Sequence, residues 1–326
     1  MQSLSAYQSI FQKYLTENNF SYEPQELYDP VNYILGIGGK RLRPLLALMG
    51  CELFSTNVNR ALPVAMAVEV FHNFTLLHDD IMDDAPLRRG KPTVHVKYNI
   101  STGILSGDVM LILAYEFLKN TEGSAAMTHK LWTIFNKMAK EVCEGQQMDM
   151  NFENRNDVTL TEYIRMIELK TSVLIAAAFE MGALAGGASL KQALPLYEFG
   201  RNVGLAFQIQ DDILDTFGDP DTFGKKVGGD IIQNKKTFLV LKTFELANAT
   251  QSADLKQLMA TPTKDEVAKI ASVRAIFQAV NVREHAEKTM DDYLNAAFDA
   301  LDNSTISVAK KEYLKAWANE LNMRNK

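Results

Sequence analysis

Two short acidic motifs are the residues of this chain best suited to chemistry. The first reads Asp-Asp-Ile-Met-Asp over 79–83, and the second reads Asp-Asp-Ile-Leu-Asp over 211–215. Residues four apart share one face of a helix, so each motif points two carboxylates the same way, where they repel each other unless a cation binds. Because Mg²⁺ bridges one or two carboxylates to substrate phosphates, we predict that both motifs bind Mg²⁺ and together hold a diphosphate. The candidate metal ligands are Asp79, Asp80, Asp83, Asp211, Asp212 and Asp215.

Clusters of basic residues and glycines accompany the motifs. A glycine segment at 36–44 carries three cations, two arginines at 88–89 follow the first motif, and the segment 218–236 mixes glycines with lysines. A single Lys or Arg is usually a solvated surface charge. Several clusters suit a diphosphate better, because Arg binds phosphate oxygens in a bidentate fashion and Lys acts as a point charge. We expect the segment 218–236 to form a mobile lid that touches phosphate.

The elements that position these residues are predicted to be helices. Apolar residues recur at intervals of three and four along segments without interior turn clusters, which predicts an all-α fold. One helix should begin near Pro63, carry the first motif and end before Pro86. The second motif should lie on a helix that follows Pro195 and ends near Gly218.

Other helices are predicted from capping signals and periodicity. Thr159 and Glu162 form a capping-box pattern, so a helix should open there and run past 170–171 toward 186–187. Residues 1–19 have the pattern of a surface helix. Further helices are expected over 103–119, 125–149, 236–248, 264–279, 281–302 and 306–322.

Composition limits the classes of partner. No linker or composition shift divides the 326 residues, so we expect one domain over 1–326. The net charge of −6 argues against a nucleic-acid partner, because such proteins bind mainly through Lys and Arg. The most apolar stretch, 172–189, is interrupted by Glu180, so it predicts a core helix and no stable membrane insertion. Cys51 and Cys143 are expected to be buried thiols in the reducing cytoplasm.

The order and spacing of these motifs resemble the trans-isoprenyl diphosphate synthases of the polyprenyl synthetase family. That family makes geranyl, farnesyl, geranylgeranyl and longer polyprenyl diphosphates in isoprenoid biosynthesis. The resemblance implies a single large helical bundle with a central cavity, a homodimer, and a short-chain prenyltransferase. The matching segments are 39–44, 79–83, 88–93, 145–146 with Asp149, 170–171, 207–208, 211–215, 224–225 and 228–235.

The resemblance also implies roles for individual residues. Mg²⁺ ions, usually three, would be held by the outer aspartates Asp79, Asp83 and Asp211. Isopentenyl diphosphate would bind without metal to Lys40, Arg43, His72 and Arg89. The allylic diphosphate (dimethylallyl, geranyl or farnesyl) would bind Arg88, Lys170, Lys225 and Lys235. The developing allylic cation would face the Lys170 carbonyl, the Thr171 hydroxyl and the Gln208 amide. The segment 233–235 reads Gln-Asn-Lys where many bacterial relatives have Glu-Gly-Lys.

Product length is expected to depend on Phe74 and Thr75. Phe74 precedes Asp79 by five residues, about 7.5 Å along a helix. In the resembling family a bulky residue at this position stops chain growth, which implies a product of about fifteen or twenty carbons, farnesyl or geranylgeranyl diphosphate. The alternative is that Phe74 is one more core aromatic residue. Tyr115 on the following helix could add to the floor, the bulky end of the cavity that stops chain growth.

Several other functions compete with this interpretation. A longer-chain polyprenyl synthase would share the motifs, and a regulatory subunit of a heteromeric synthase would share the fold but usually lacks one acidic motif. A terpene cyclase would replace the motif at 211–215 with an Asn/Ser/Glu motif. A structural helical scaffold would leave the clustered aspartates and lysines unexplained.

Overall fold

The computed structural model describes residues 1–219, 227–260 and 265–322, which belong to two compact units. The first unit comprises Met1–Lys137 and Ala177–Tyr197, and the second comprises Met138–Ala176 and Glu198–Lys326. In the described residues, regular structure is helical apart from a hairpin of two short strands, β1 (Leu87–Arg88) and β2 (Lys91–Pro92). The all-α prediction is confirmed, and the single domain over 1–326 stays a prediction.

The helices of the N-terminal half follow closely on one another. They are α1 (Leu4–Glu17), α2 (Gln25–Gly36), α3 (Leu42–Glu52), a 3₁₀ turn (Val58–Ala61), α4 (Leu62–Met82), α5 (Val94–Lys97), α6 (Ile100–Lys119) and α7 (Ala125–Glu153). In the first unit α4 is the central element, because α3 and α6 both pack along it and its residues from Val64 to Phe71 are all buried.

The C-terminal half is also built from helices. Its helices are α8 (Leu160–Ile167), a π-helical turn (Glu168–Ser172), α9 (Val173–Ala185), α10 (Leu190–Phe217), α11 (Gly229–Ile232), α12 (Phe238–Leu246), α13 (Ala249–Ala260), α14 (Glu266–Ala279), α15 (Val282–Asp302) and α16 (Val308–Asn322). In the second unit, apolar residues of α8, α10, α12, α14 and α15 form one core cluster.

Most helix predictions are confirmed to within a few residues, and the exceptions have local causes. The helix of the second motif was predicted to follow Pro195 but begins at Leu190, because Ser189 and Gln192 form a reciprocal cap. A similar reciprocal cap between Asn248 and Gln251 opens α13, a helix that was not predicted.

Burial corrects one prediction and confirms two. Cys51 is buried as expected, but Cys143 is exposed on α7, so the prediction for Cys143 was wrong. The stretch that was predicted as a core helix forms α9, whose residues are all buried except the half-buried Glu180. Within the described residues, the helix that passes a length and composition test for a membrane span is α6, with a mean hydropathy of 1.3.

Candidate active site

The first acidic motif lies at the C-terminal end of α4. Asp79 and Asp80 occupy its last turn, and Asp83 is the residue that caps it. A helix C-terminus carries partial negative charge, so three carboxylates there need cationic partners. Arg88 supplies one, because its Nε and Nη2 donate to the two carboxylate oxygens of Asp80 at 2.7 and 2.8 Å. The same guanidinium lies 3.9 Å from Asp79.

The hairpin that follows the motif sets the direction of Arg88. Leu87 and Arg88 pair with Lys91 and Pro92 in antiparallel register, and Arg89 and Gly90 form the turn with φ of 52° and 74°. Arg88, which was predicted to bind the allylic diphosphate, is therefore already oriented toward the acidic motif.

A basic cluster lies next to the middle of α4. Arg43 Nη1 is 3.0 Å from His72 Nε2, and the guanidinium of Arg89 lies against Gly39. Burial, reinforced by the neighbouring arginines, lowers the pKa of His72 well below its ordinary value, so the neutral ring accepts from Arg43. Burial also lowers the pKa of Arg43 to about 10. Three residues predicted to bind isopentenyl diphosphate thus lie together, and the exposed Lys40 belongs to the same loop.

Phe74 belongs to a row of aromatic rings on the inner face of α4. Its ring centroid lies 4.8 Å from that of His78 and 5.5 Å from that of Phe71. The row continues through Phe135 to Tyr115, with centroid separations of 5.3 and 4.9 Å. The Thr75 hydroxyl donates to the His72 carbonyl at 2.8 Å, so it is engaged by the helix backbone.

His78 is fixed by helix α6. Its Nε2 lies 3.2 Å from the Ile104 carbonyl oxygen, and a Cβ placed on Gly107 would come within 2.2 Å of the same nitrogen. A glycine at 107 is thus what allows the ring to fit between α4 and α6, where it packs edge-on against Phe74.

The second acidic motif lies near the C-terminal end of α10. Asp212 is buried, and its Oδ2 accepts from the Tyr163 hydroxyl at 2.5 Å and from the Phe238 amide at 2.9 Å. Burial raises the pKa of Asp212 to about 8, and the Asp230 and Asp211 charges add to the effect. Asp215 accepts from the Asp230 amide at 3.0 Å, which holds the start of α11 against α10.

The predicted cation-stabilising residues meet at the π-helical turn Glu168–Ser172. The Thr171 hydroxyl lies 3.3 Å from Gln208 Oε1, and Lys170 Nζ lies 2.6 Å from Asp149 Oδ2. A Cβ on Gly145 would lie 2.4 Å from the Lys170 nitrogen, so α7 approaches this turn at backbone distance. Single π turns inside helices are common at functional sites, because they rotate the residues that follow and leave backbone groups less tightly paired.

The predicted lid is described only in part. Lys225 lies outside the described residues, as does the neighbouring Gly224. Lys235 is about half exposed, with Nζ 3.7 Å from Asp230. Asn234 has a φ of 57°, a conformation that Gly and Asn tolerate best, so an asparagine at this position is compatible with the turn.

Comparison with known proteins assigns this arrangement to a family. Residues 24–278 match the family model described as polyprenyl synthetase. The chain belongs to the polyprenyl synthetase family. A geranylgeranyl diphosphate synthase of Methanosarcina mazei is 46% identical to this synthase over 222 residues, which is 68% of each protein. A geranylfarnesyl diphosphate synthase of Natronomonas pharaonis is 36% identical over 285 residues, 82% of each.

A solved structure agrees with this assignment. A crystal structure of a geranylgeranyl pyrophosphate synthase matches this synthase with a TM-score of 0.95 and 44% identity over 100% of both chains. The family resemblance inferred from the motifs is thus confirmed, and the chain is an enzyme of a family that depends on Mg²⁺.

The donor groups of this synthase suit Mg²⁺ that binds together with the phosphates of a substrate. Among residues 1–219, 227–260 and 265–322, no group of three His, Cys, Asp or Glu side chains converges on one metal-sized point. Each motif instead offers carboxylates four residues apart on one helix, Asp79 with Asp83 and Asp211 with Asp215. Mg²⁺ commonly takes one or two protein carboxylates and completes its octahedron with water and substrate phosphates.

Two residues of this synthase escaped the sequence analysis. The Tyr163 hydroxyl donates to Asp212, which lies 49 residues away in sequence, and no local pattern predicts such a contact. Glu69, which bonds to Arg41, does leave a signal, because it is the one acidic residue in the apolar run from 62 to 78. A buried carboxylate in such a run needs a partner, and the basic residues before and after the run, at 40–43, 60 and 88–89, are the candidates.

Proposed function

We propose that this chain condenses isopentenyl diphosphate with allylic diphosphates and releases inorganic diphosphate, with geranylgeranyl diphosphate as its final product. Membership of the polyprenyl synthetase family carries this proposal, together with the retention of both aspartate motifs. The geranylgeranyl diphosphate synthases among its relatives support the twenty-carbon product, and so does the bulky Phe74. Farnesyl diphosphate would then be an intermediate or a primer.

The reaction begins when the allylic carbon–oxygen bond breaks, leaving negative charge on diphosphate and positive charge on the prenyl fragment. Arg88, Lys170 and Lys235, with Lys225, bind the allylic diphosphate. Asp79, Asp83 and Asp211 would hold Mg²⁺, expected to number three, which would supply positive charge to the leaving group. Asp80, Asp212 and Asp215 support these ligands. Arg88 orients Asp80, and the Tyr163 hydroxyl orients Asp212.

The prenyl cation is stabilised by fixed dipoles. The Thr171 hydroxyl oxygen, the Gln208 amide oxygen and the Lys170 carbonyl present negative ends to it, and the adjacency of Thr171 and Gln208 supports this role. Isopentenyl diphosphate, bound by Lys40, Arg43, His72 and Arg89, then attacks with its double bond. A new carbon–carbon bond forms, and the proton lost from the adduct passes to the departing diphosphate.

The quaternary structure belongs to the same proposal. Ile104, Leu105 and Ile112 of α6 are 43–60% exposed, and Trp132 of α7 is also exposed. Exposed apolar side chains of this kind fit a second copy of the chain, so we propose a homodimer. The family assignment favours a cytoplasmic enzyme without stable membrane insertion. Sedimentation of wild-type chain and of a Leu105→Glu, Ile112→Glu variant tests the homodimer, since the variant should sediment as a monomer.

One assay tests the activity. The purified chain is incubated with Mg²⁺, isopentenyl diphosphate and, in turn, dimethylallyl, geranyl or farnesyl diphosphate, and the dephosphorylated products are separated by chromatography. We expect all three primers to give geranylgeraniol. Products that continue beyond twenty carbons would identify a longer-chain synthase, and the absence of any elongated product would identify a regulatory subunit.

A further inference from the structure

A buried ion pair joins the middle of α4 to the basic loop. Glu69 is only 3% exposed, and its carboxylate accepts from the Arg41 guanidinium and, at 2.9 Å, from Asn73 Nδ2. Arg41 Nη2 also donates to the Leu35 carbonyl. The side chain of Arg41 is 8% exposed, so this arginine is directed into the protein and away from solvent.

The backbone at Arg41 depends on these contacts. Its φ of 51° and ψ of 34° lie in the left-handed region, which is unfavourable for a residue other than glycine. Arg41 is also the residue that caps the start of α3, directly after Lys40 and two residues before Arg43. The direction in which Lys40 and Arg43 leave the backbone is therefore set by the anchoring of Arg41.

The surroundings of Glu69 carry an excess of positive charge. Burial lowers the pKa of Arg43 and of Arg89, and the negative charge of Glu69 opposes this by raising both pKa values. His72, one turn further along α4, feels the positive charge of Arg43, Arg89, Arg88 and Arg41. A buried ion pair adds little net stability compared with apolar residues, and fixing one arrangement of the chain is its best-attested use.

We propose that Glu69 and Arg41 are positioning residues for isopentenyl diphosphate, an inference that rests on the proposed role of Lys40, Arg43, His72 and Arg89. Glu69 does not touch the substrate. It holds Arg41, and Arg41 holds the loop in the shape that presents Lys40 and Arg43. The allylic diphosphate binds through other residues, so the pair should affect one substrate and not the other.

The test is steady-state kinetics of the full chain carrying Glu69→Gln. We expect KM for isopentenyl diphosphate to rise at least about tenfold, while KM for the allylic diphosphate and kcat at saturating isopentenyl diphosphate stay within about twofold. Arg41→Gln should give the same pattern. The double variant should be no worse than either single variant, because both changes remove one interaction.

A matched control is Glu52→Gln. Glu52 is another largely buried glutamate of the first unit, where it accepts from the Gln2 amide and the Tyr7 hydroxyl. Its replacement should leave both KM values unchanged. Arg41→Lys is a milder variant that keeps the charge but loses one donor, so it should raise KM for isopentenyl diphosphate by less than Arg41→Gln and remain informative if Glu69→Gln does not fold.

Calorimetric titration of isopentenyl diphosphate into Mg²⁺-free protein separates this proposal from the function. Weaker binding by Glu69→Gln or Arg41→Lys than by wild type supports the positioning role, even if condensation were to fail. Equal Kd values, or equal losses in both KM values and kcat, overturn it while leaving the proposed function intact. A wild-type chain that neither binds isopentenyl diphosphate nor elongates a primer overturns both.

Discussion

The two acidic motifs have nearly the same sequence but different neighbours. In the first, the buried middle aspartate, Asp80, is matched by the charged fork of Arg88. In the second, the buried Asp212 is matched by two uncharged donors, the Tyr163 hydroxyl and the Phe238 amide. Because Asp212 is buried with only uncharged donors, burial raises its pKa to about 8.

This contrast indicates that the two middle aspartates gain different amounts of stabilisation from a bound cation. A carboxylate already paired with Arg88 gains less from a further cation than one that has only neutral donors. Ionisation of Asp212 in the second motif should therefore depend more strongly on Mg²⁺ than ionisation of Asp80 in the first. The first motif instead shares its helix with Phe74 and with His72, which is proposed to bind isopentenyl diphosphate.

The largest effect is expected when either motif loses an outer carboxylate. Asp79→Ala or Asp211→Ala should lower kcat about 1,000-fold, because leaving-group charge would be poorly neutralised, while circular dichroism shows an unchanged helical fold. Asp291→Ala, a change at an exposed aspartate of α15, is the control and should retain full activity. A variant of either motif with more than a tenth of wild-type turnover would contradict a shared role.

The next effect separates the two middle aspartates. Arg88→Gln should lower the free energy of unfolding by about 3 kcal/mol, since it leaves Asp80 buried without its counter-charge. Tyr163→Phe should cost about 1–2 kcal/mol, because it removes one hydrogen bond and leaves the Phe238 amide in place. Urea denaturation followed by circular dichroism measures both. Equal losses would mean that the charged and neutral partners are equivalent.

Local sequence signals predicted much of the fold and the motifs, but not the partners of the motifs. The cap of Thr159 by Glu162 and the end of α4 before Pro86 depend on neighbouring residues, so they could be read directly. The Tyr163–Asp212 bond joins two helices far apart in sequence. The π-helical turn at 168–172 adds one residue to a helical turn, and this is too small a change to disturb the apolar periodicity.

The burial of single side chains was also hard to predict from the sequence. Cys143 lies in an apolar helical pattern, yet it falls on the exposed side of α7, because a pattern of three and four identifies a face only approximately. Glu69 shows the opposite case. An acidic residue inside an apolar run signals a buried charge, and its partner could be sought among the nearby basic residues.

Product length should depend on the first motif's helix. Phe74→Ala removes a ring from the aromatic row, and we expect the main product to lengthen by at least about one five-carbon unit, as measured by chromatography of the dephosphorylated alcohols. Phe117→Ala is the control, since Phe117 is an equally buried phenylalanine of α6 that packs on Phe20. An unchanged length in Phe74→Ala, or an equal change in both, would exclude Phe74 as the floor.

The smallest expected effect is a pH dependence of stability that arises at His72. Arg43, Arg41, Arg88 and Arg89 surround the ring, and burial with these charges holds its pKa well below the ordinary value of 6.5. Below pH 6.5 the unfolded chain therefore binds a proton at His72 that the folded chain does not. The contribution of His72 to stability is fully present above pH 6.5 and falls as the pH drops below that value. The loss is at most about 1.4 kcal/mol per pH unit.

Comparison with His72→Gln isolates this contribution, because the other four histidines are common to both chains. The free energy of unfolding of wild type minus that of the variant should be constant between pH 7 and 8 and should decrease between pH 6.5 and 5.5. Such a decrease would assign acid sensitivity to the basic cluster beside the first motif. A difference that stays constant down to pH 5.5 would mean that His72 takes up its proton in the folded chain as readily as in the unfolded one, so the surrounding arginines would not act on it.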